Sequence, residues 1–394
     1  MYRSGTELTG DAQFQNNIFS AVEEMSYTYK HNGEKQFSIR PDISFFLNGI
    51  FLGYMELKST SNGQTAEKEG RSKVACDYLE AMDTYVKLAK TNDIAEDLRK
   101  DMLRIFEKSL HLTTSDIAST YVLRSVASFY DDVRKCFSEG SETIYSYMKN
   151  ILNVFKEYPT TSPDLSNLDC FYEVMRALYS KEMIEKEILY YNFVEYSYAD
   201  KGKSKKNKRK ERTSNRGTLI APRPKQKFGC DKIIRRVIEM LEHEAEPNYF
   251  IDKLRADLER LQVAPEKIET IIANRNKYRN NKFVYSLLLQ YAAGFGKSNI
   301  IGWTALQLKD LRHQGKWAYD KVFIVVDRLQ LRDQIDTMMM NMNIDKAMFV
   351  EVTNKKTFVE ALTDKRRIVV VNIQKFMDIK EEIGRAHVCT PVTS

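Results

Sequence analysis

The sequence predicts an α/β chain in two unlike parts: a sheet-bearing N-terminal domain with a helical extension, then a parallel-sheet domain. Three observations carry that expectation. Residues 43–58 read as an apolar hairpin around Asn48-Gly49. Lys201 to Lys210 holds no apolar side chain and interrupts the chain. Beyond it, strand and helix patterns alternate, as in a parallel sheet. At 394 residues there is room for two to three domains and a sizeable core.

In order, the pattern predicts a helix from Ala12 to Tyr29, hairpin strands at Ile43–Leu47 and Ile50–Lys58, and a helix from Thr65 to Ala89. Residues from about 96 to 195 read mostly as helix, with Tyr121, Leu123, Val126, Phe129 and Tyr130 as core at helical spacing. The basic run to Arg212 reads as a solvated loop or linker whose cations suit a phosphate backbone. A strand at Lys282–Gln290 follows, then a helix at Asn299–Leu311 and a buried strand at Lys321–Asp327. A helix from Leu329 and a strand at Arg367–Asn372 complete the pattern. No internal repeat is evident.

Charged residues make up 29% of the chain and aromatics 11%, which excludes a disordered protein. The net charge of +7 is compatible with a polyanionic partner. Cys76, Cys136, Cys170, Cys230 and Cys389 show neither disulfide nor metal spacing and suggest a reducing, cytoplasmic setting. With five histidines and no Cys/His cluster, a zinc site is not expected. Neither a signal peptide nor a membrane-spanning run is expected.

The N-terminal chemistry lies in Arg40-Pro41-Asp42 and Glu56-Leu57-Lys58, at the open end of the hairpin. Both strands are apolar on both faces, so the hairpin belongs inside a covered sheet, where charges are costly unless they bind something. Two carboxylates on one sheet face can hold a divalent metal, and a neighbouring lysine can poise a water or steady a phosphate. That is the equipment of a nuclease; the plain alternative is a solvated Glu-x-Lys face. A two-residue loop at Asn48-Gly49 would set Asp42 opposite Met55, on the other face from Glu56. A three-residue loop with left-handed Gly49 sets Asp42 opposite Tyr54. Asp42, Glu56 and Lys58 then share a face, with Asp42 and Glu56 roughly 7–8 Å apart. The three-residue loop is therefore expected.

Tyr291-Ala292-Ala293-Gly294-Phe295-Gly296-Lys297-Ser298 stands between a strand pattern and a helix pattern, where a phosphate loop belongs. Gly294 and Gly296 permit tight turns that aim N–H groups at phosphate, and the helix dipole adds to this. Lys297 would pair with the β- and γ-phosphates of ATP, and the Ser298 hydroxyl would ligate Mg2+. The place five before Gly296 holds Tyr291 rather than glycine.

A metal-dependent nuclease hairpin followed by a phosphate-loop motor resembles the restriction (R) subunit of type I restriction–modification enzymes, over nearly the whole chain. The resemblance implies a PD-(D/E)xK nuclease core at residues 1–95 and its helical remainder at 96–200. A basic linker at 201–215 and an incomplete first RecA-like helicase lobe at 216–381 follow. On this resemblance Asp42 and Glu56 bind Mg2+ and Lys58 completes the catalytic site. Leu219 to Gln226 is similar to the segment that opens the motor, which gives Gln226 the role of reading adenine. Val326 to Gln334 looks like the next helicase motif, with Arg328 and Gln334 on DNA. Val369 to Phe376 resembles the one after, with Gln374 and Lys375 facing nucleic acid. The implied cofactors are Mg2+ and ATP. The implied partners are double-stranded DNA and the methyltransferase and specificity subunits, with no membrane. The implied activity is ATP-dependent DNA translocation with Mg2+-dependent cleavage of unmodified DNA.

The chain departs from the family in places. Where many members carry Q-x-x-x-Y after the nuclease lysine, it has Val74 and Tyr78. The acidic residue usual on the first helix is open between Glu23 and Glu24. No acidic DEAD-type motif and no second lobe follow, and residues 382–394 read as a non-native tail. A motor that does not hydrolyse ATP is therefore expected. Two other readings stand beside this one: another helicase–nuclease of DNA repair or phage defence, and a non-catalytic DNA-binding assembly subunit.

Overall fold

The computed structural model describes residues 16–91, 95–107, 109–123, 148–158, 166–195, 198–201, 209–212, 218–246, 248–279, 287–327, 329–342, 349–352 and 355–373. They belong to two compact units that divide between Pro224 and Lys225.

The first unit opens with β1 (Phe19–Glu23), β2 (Tyr27–His31), β3 (Glu34–Ile39), β4 (Ile43–Leu47) and β5 (Ile50–Leu57). Helices α1 (Arg71–Thr91) and α2 (Ala95–Glu107) lead to β6 (His111–Ser115), β7 (Thr120–Leu123), α3 (Met148–Val154) and β8 (Lys156–Tyr158). Six strands form one mixed sheet in the order β1-β4-β5-β6-β7-β8, and β2 and β3 form a separate ribbon. The β5–β6 pair is parallel, and α1 and α2 supply the long crossover that such a pair needs. These helices cover one face, burying Val74, Tyr78, Leu79, Met82 and Phe106 with Tyr54 of β5. On the other face come α4 (Asn167–Tyr179) and α5 (Lys181–Lys186). There Ile184 packs with Leu47 and Leu52, and Tyr179 stacks on Phe45.

Two helical expectations are corrected. Residues 19–23 and 27–29 are strands, because β1 pairs with β4 along the sheet edge and that pairing outweighs the helix formers Ala21 to Met25. Tyr121 and Leu123 lie in β7, buried between β6 and β8, and not on a helix. Val126, Phe129 and Tyr130 lie outside the described residues. Later, β9 (Phe193–Glu195) pairs with β12 (Thr218–Ile220). The ends of the basic run form a ribbon, β10 (Tyr198–Lys201) with β11 (Arg209–Arg212), rather than an irregular linker.

The β4–β5 turn also differs from expectation. It spans two residues, Asn48 and Gly49, both at positive φ (+50° and +79°), as a type I′ turn requires. A β-bulge supplies the extra step that a longer loop was expected to give. Phe46 faces Phe51, Phe45 faces Gly53, and Leu52 is the added residue. Beyond it Ser44, not Asp42, faces Tyr54, and Ile43 faces Met55. One step further brings Asp42 beside Glu56. Next to the bulge, the close approach of β6 needs glycine at 53, since a Cβ there would overlap the backbone carbonyl of His111. Gly53→Ala is expected to cost about 3 kcal/mol, read as a lower urea midpoint; an unchanged midpoint would contradict the close approach.

In the second unit α6 (Pro224–Glu242), α7 (Tyr249–Arg260) and α8 (Pro265–Arg279) precede α9 (Lys297–Asp310). A small hairpin, β13 (Arg312–His313) with β14 (Lys316–Trp317), leads into β15 (Val322–Val326) and α10 (Leu329–Asn341). β16 (Phe349–Val352), α11 (Lys355–Thr363) and β17 (Ile368–Asn372) follow. The three longer strands are parallel in the order β15-β17-β16, over a core of Val350, Val352, Phe358, Val369 and Val371. Central β17 is buried throughout, whereas β15, at the edge of this sheet, is only half-buried. Residues 287–290, expected to end a strand, carry no strand pairing, and Leu288 is 89% exposed.

Candidate functional site

Charged side chains gather at the open end of the β4–β5 hairpin. Asp42 is half-buried, and its Oδ2 accepts from the Leu57 N–H at 2.6 Å, which ties it to β5 beside Glu56. Glu56 is 8% exposed, and its Oε1 accepts from Lys58 Nζ at 2.7 Å. Glu56 and Lys58 share a face, as strand spacing requires. The three sequence candidates thus meet in space. Glu24 borders them: its N–H donates to the Asp42 carbonyl at 2.9 Å, and its exposed carboxylate lies 3.7 Å from Arg40. Glu23, the other acidic candidate, ends β1 and is exposed.

Sequence reasoning missed three neighbours. Helix α1 carries Lys73 and Asp77 on one face, with Lys73 Nζ donating to Asp77 Oδ1 at 2.5 Å. Burial above all pushes the Asp77 carboxyl up to about 6; Lys73 opposes the rise, while Glu56 and Glu80 add to it. Tyr54 is fully buried on β5, its hydroxyl without a hydrogen-bond partner among the described residues. Burial, then the charges of Asp77 and Glu56, raise its phenol. The sequence signal for Lys73 and Asp77 is their i,i+4 spacing on the helix where many family members carry Q-x-x-x-Y. Val74 and Tyr78 themselves are fully buried core residues.

Asp77 makes stability depend on pH. Its carboxyl titrates at an ordinary 3.8 when unfolded and at about 6 when folded. Between those values the folded chain keeps a proton that the unfolded chain has lost. Stability present below the lower value is therefore lost as pH rises through the upper one. Asp77→Asn is expected to remove a loss on the order of 2–3 kcal/mol across this window. Urea midpoints of variant and wild type should diverge with rising pH; a constant difference would contradict this origin.

The donor set suits a hard divalent cation. Carboxylate oxygens of Asp42 and Glu56 are the ligands Mg2+ prefers, and a cation beside Glu56 would relieve the buried negative charge it shares with Asp77. No group of three or more Asp, Glu, His or Cys is poised for a metal among the described residues. One or two carboxylates with waters and a substrate phosphate are the usual Mg2+ set, so the residues fit.

In the second unit the loop before α9 turns through Gly294 (φ +73°) and Gly296 (φ +82°), left-handed conformations that favour glycine. Lys297, first in α9, donates from Nζ to the carbonyls of Tyr291 and Ala292 at 3.0 and 3.3 Å, across the loop. Ser298 follows it, half-buried. Gln226 of α6 is 5% exposed and donates from Nε2 to the Phe295 carbonyl at 2.5 Å, so it braces this loop. Gln334 is exposed on α10. Arg328, Gln374 and Lys375 lie outside the described residues.

Two family models match the chain. Residues 4–85 match the N terminus of type I restriction enzyme R proteins, a span that holds Asp42, Glu56, Lys58, Lys73 and Asp77. Residues 271–392 match the SWI2/SNF2 ATPase, a span that holds the loop and Lys297. Among curated proteins none matches. No described helix is long and apolar enough to cross a membrane.

Proposed function

Because residues 4–85 match the N terminus of type I restriction enzyme R proteins and residues 271–392 match the SWI2/SNF2 ATPase, we propose that the chain is a restriction subunit that cleaves and moves DNA within such a system. The first unit is read as a PD-(D/E)xK nuclease acting on unmodified double-stranded DNA. The observation that carries this is the meeting of Asp42, Glu56 and Lys58 at the end of a sheet covered on both faces. Asp42 and Glu56 would hold Mg2+, which when bound activates water and offsets phosphate charge. Lys58, fixed by Glu56, would steady the negative charge that builds on the phosphate during attack. The covered sheet lowers the local dielectric and strengthens each of these interactions.

The second unit is read as the first RecA-like lobe of the motor. Gly294 to Ser298 would take the phosphates of ATP, with Lys297 on the β- and γ-phosphates and Ser298 toward Mg2+. Gln226, already against the loop, would read the adenine. Arg328, Gln334, Gln374 and Lys375 would lie along the DNA path. Residues 201–212 hold eight cations against one carboxylate, equal to the formal charge of the whole chain. The β10–β11 ribbon would set this charge along a phosphate backbone. The partners would be duplex DNA and the methyltransferase and specificity subunits.

The test is nicking of supercoiled, unmodified plasmid by this chain. Nicking that needs Mg2+ and stops with EDTA is expected. Nicking indifferent to EDTA, or none at any Mg2+ concentration, would overturn the nuclease reading. Co-purification with the two other subunits tests the partners.

A further inference from the structure

We propose that Lys73, anchored by Asp77, is a second cationic contact of the nuclease centre and grips a non-bridging phosphate oxygen of the strand being cut. This rests on the nuclease reading and extends it, since neither residue belongs to the Asp42, Glu56 and Lys58 set.

Asp77 is costly where it stands. It is 4% exposed, on a helix that otherwise feeds Val74, Tyr78, Leu79 and Met82 into the core. A well-packed apolar side chain at such a place is often neutral or more stable than a buried ion pair. Nor does the pair serve the helix: an acid four residues after a lysine is the weaker order for an i,i+4 contact. What the pair does is span the boundary. The Asp77 side chain is 5% exposed and that of Lys73 is 47% exposed, so the carboxylate sits inside and the ammonium at the rim.

Tyr54 packs in one core with Val74, Tyr78 and Leu79 of α1, and Glu56, two residues on along β5, shares its face, so the face of α1 that carries the pair lies over the face of β5 that carries Glu56. Glu56 is near enough to bear on the charge of both Lys73 and Asp77, and Tyr54 between them in the fold is fully buried. Lys58 is already engaged with Glu56 at 2.7 Å, its side chain only 12% exposed. Lys73 is far more open to an incoming strand. The chemistry calls for such a group: adding hydroxide to a phosphodiester raises its charge from one negative to two, and fixed cations at the oxygens stabilise that state. Asp77 would hold the ammonium in place before DNA arrives, so that less side-chain freedom is lost on binding.

The experiment compares Lys73→Ala, Lys73→Arg and Asp77→Asn with Glu56→Gln in the full chain. Lys73→Ala should slow Mg2+-dependent plasmid nicking about 10- to 100-fold, and Lys73→Arg should restore most of it. Asp77→Asn should also slow nicking while its urea midpoint stays level or rises. In EDTA, Lys73→Ala should weaken binding of a short labelled duplex and flatten its log affinity against log salt slope by about 0.9, the share of one phosphate. Unchanged nicking and salt slope in Lys73→Ala would overturn the proposal. So would slower nicking with a lower urea midpoint, no change in slope and no rescue by arginine, the pattern of a structural role. A Glu56→Gln chain that nicks as fast as wild type would instead remove the nuclease reading, and this proposal with it.

Discussion

Glu56→Gln is expected to lower Mg2+-dependent DNA cleavage by about 10^3-fold or more while leaving the chain folded. The exchange keeps the shape of a side chain that is 8% exposed, and the amide oxygen can still accept from Lys58 Nζ. Packing on β5 should therefore persist. What disappears is the negative charge at the point where Asp42 and Glu56 converge. Without it the pair loses half its attraction for a divalent ion, and Lys58 loses the carboxylate that fixes it. The initial rate of conversion of supercoiled to nicked plasmid reads the effect, with circular dichroism checking the fold. A rate within a few-fold of wild type would mean that these groups merely terminate a sheet.

Lys297→Ala should weaken ATP binding about 100-fold, measured by titration with a fluorescent ATP analogue. Charge-assisted contacts to phosphate contribute roughly 1.5–3 kcal/mol each, and this lysine would make them to two phosphates. In the structure its ammonium is held by two neutral backbone carbonyls, acceptors that an anionic phosphate outcompetes. Gly294 and Gly296 supply the left-handed turns and Gln226 braces the loop at Phe295, so the loop itself should survive. Equal affinity in variant and wild type would place nucleotide elsewhere or nowhere in this unit.

Features encoded locally were legible in the sequence. The hairpin announced itself through two apolar runs around Asn48-Gly49, and the loop before α9 through glycines whose left-handed backbone few other residues tolerate. Features decided by distant partners were not. The bulge at Leu52 adjoins Gly53, whose backbone lies against His111 in the next strand, beyond two helices. No reading of residues 43–58 alone could supply that neighbour, and the turn was consequently given one residue too many. Ala21 to Met25 contains good helix formers, yet the free edge of β4 claims its first residues as a strand. Lys73 and Asp77 have the i,i+4 spacing of any surface pair, and only the packing of α1 on β5 sets Asp77 inside. Gln226 is a similar case: its contact with Phe295 spans 69 residues, and only the fold shows that it braces the loop.

Mn2+ uptake tests the two-carboxylate centre most directly. It can be followed by the electron paramagnetic resonance of the free ion, with a cleavage-resistant duplex present and nucleotide absent. Wild type and Lys73→Ala should both take up Mn2+ at a site that Asp42→Asn and Glu56→Gln each abolish. Equal uptake by wild type and both carboxylate variants would contradict a metal held between Asp42 and Glu56.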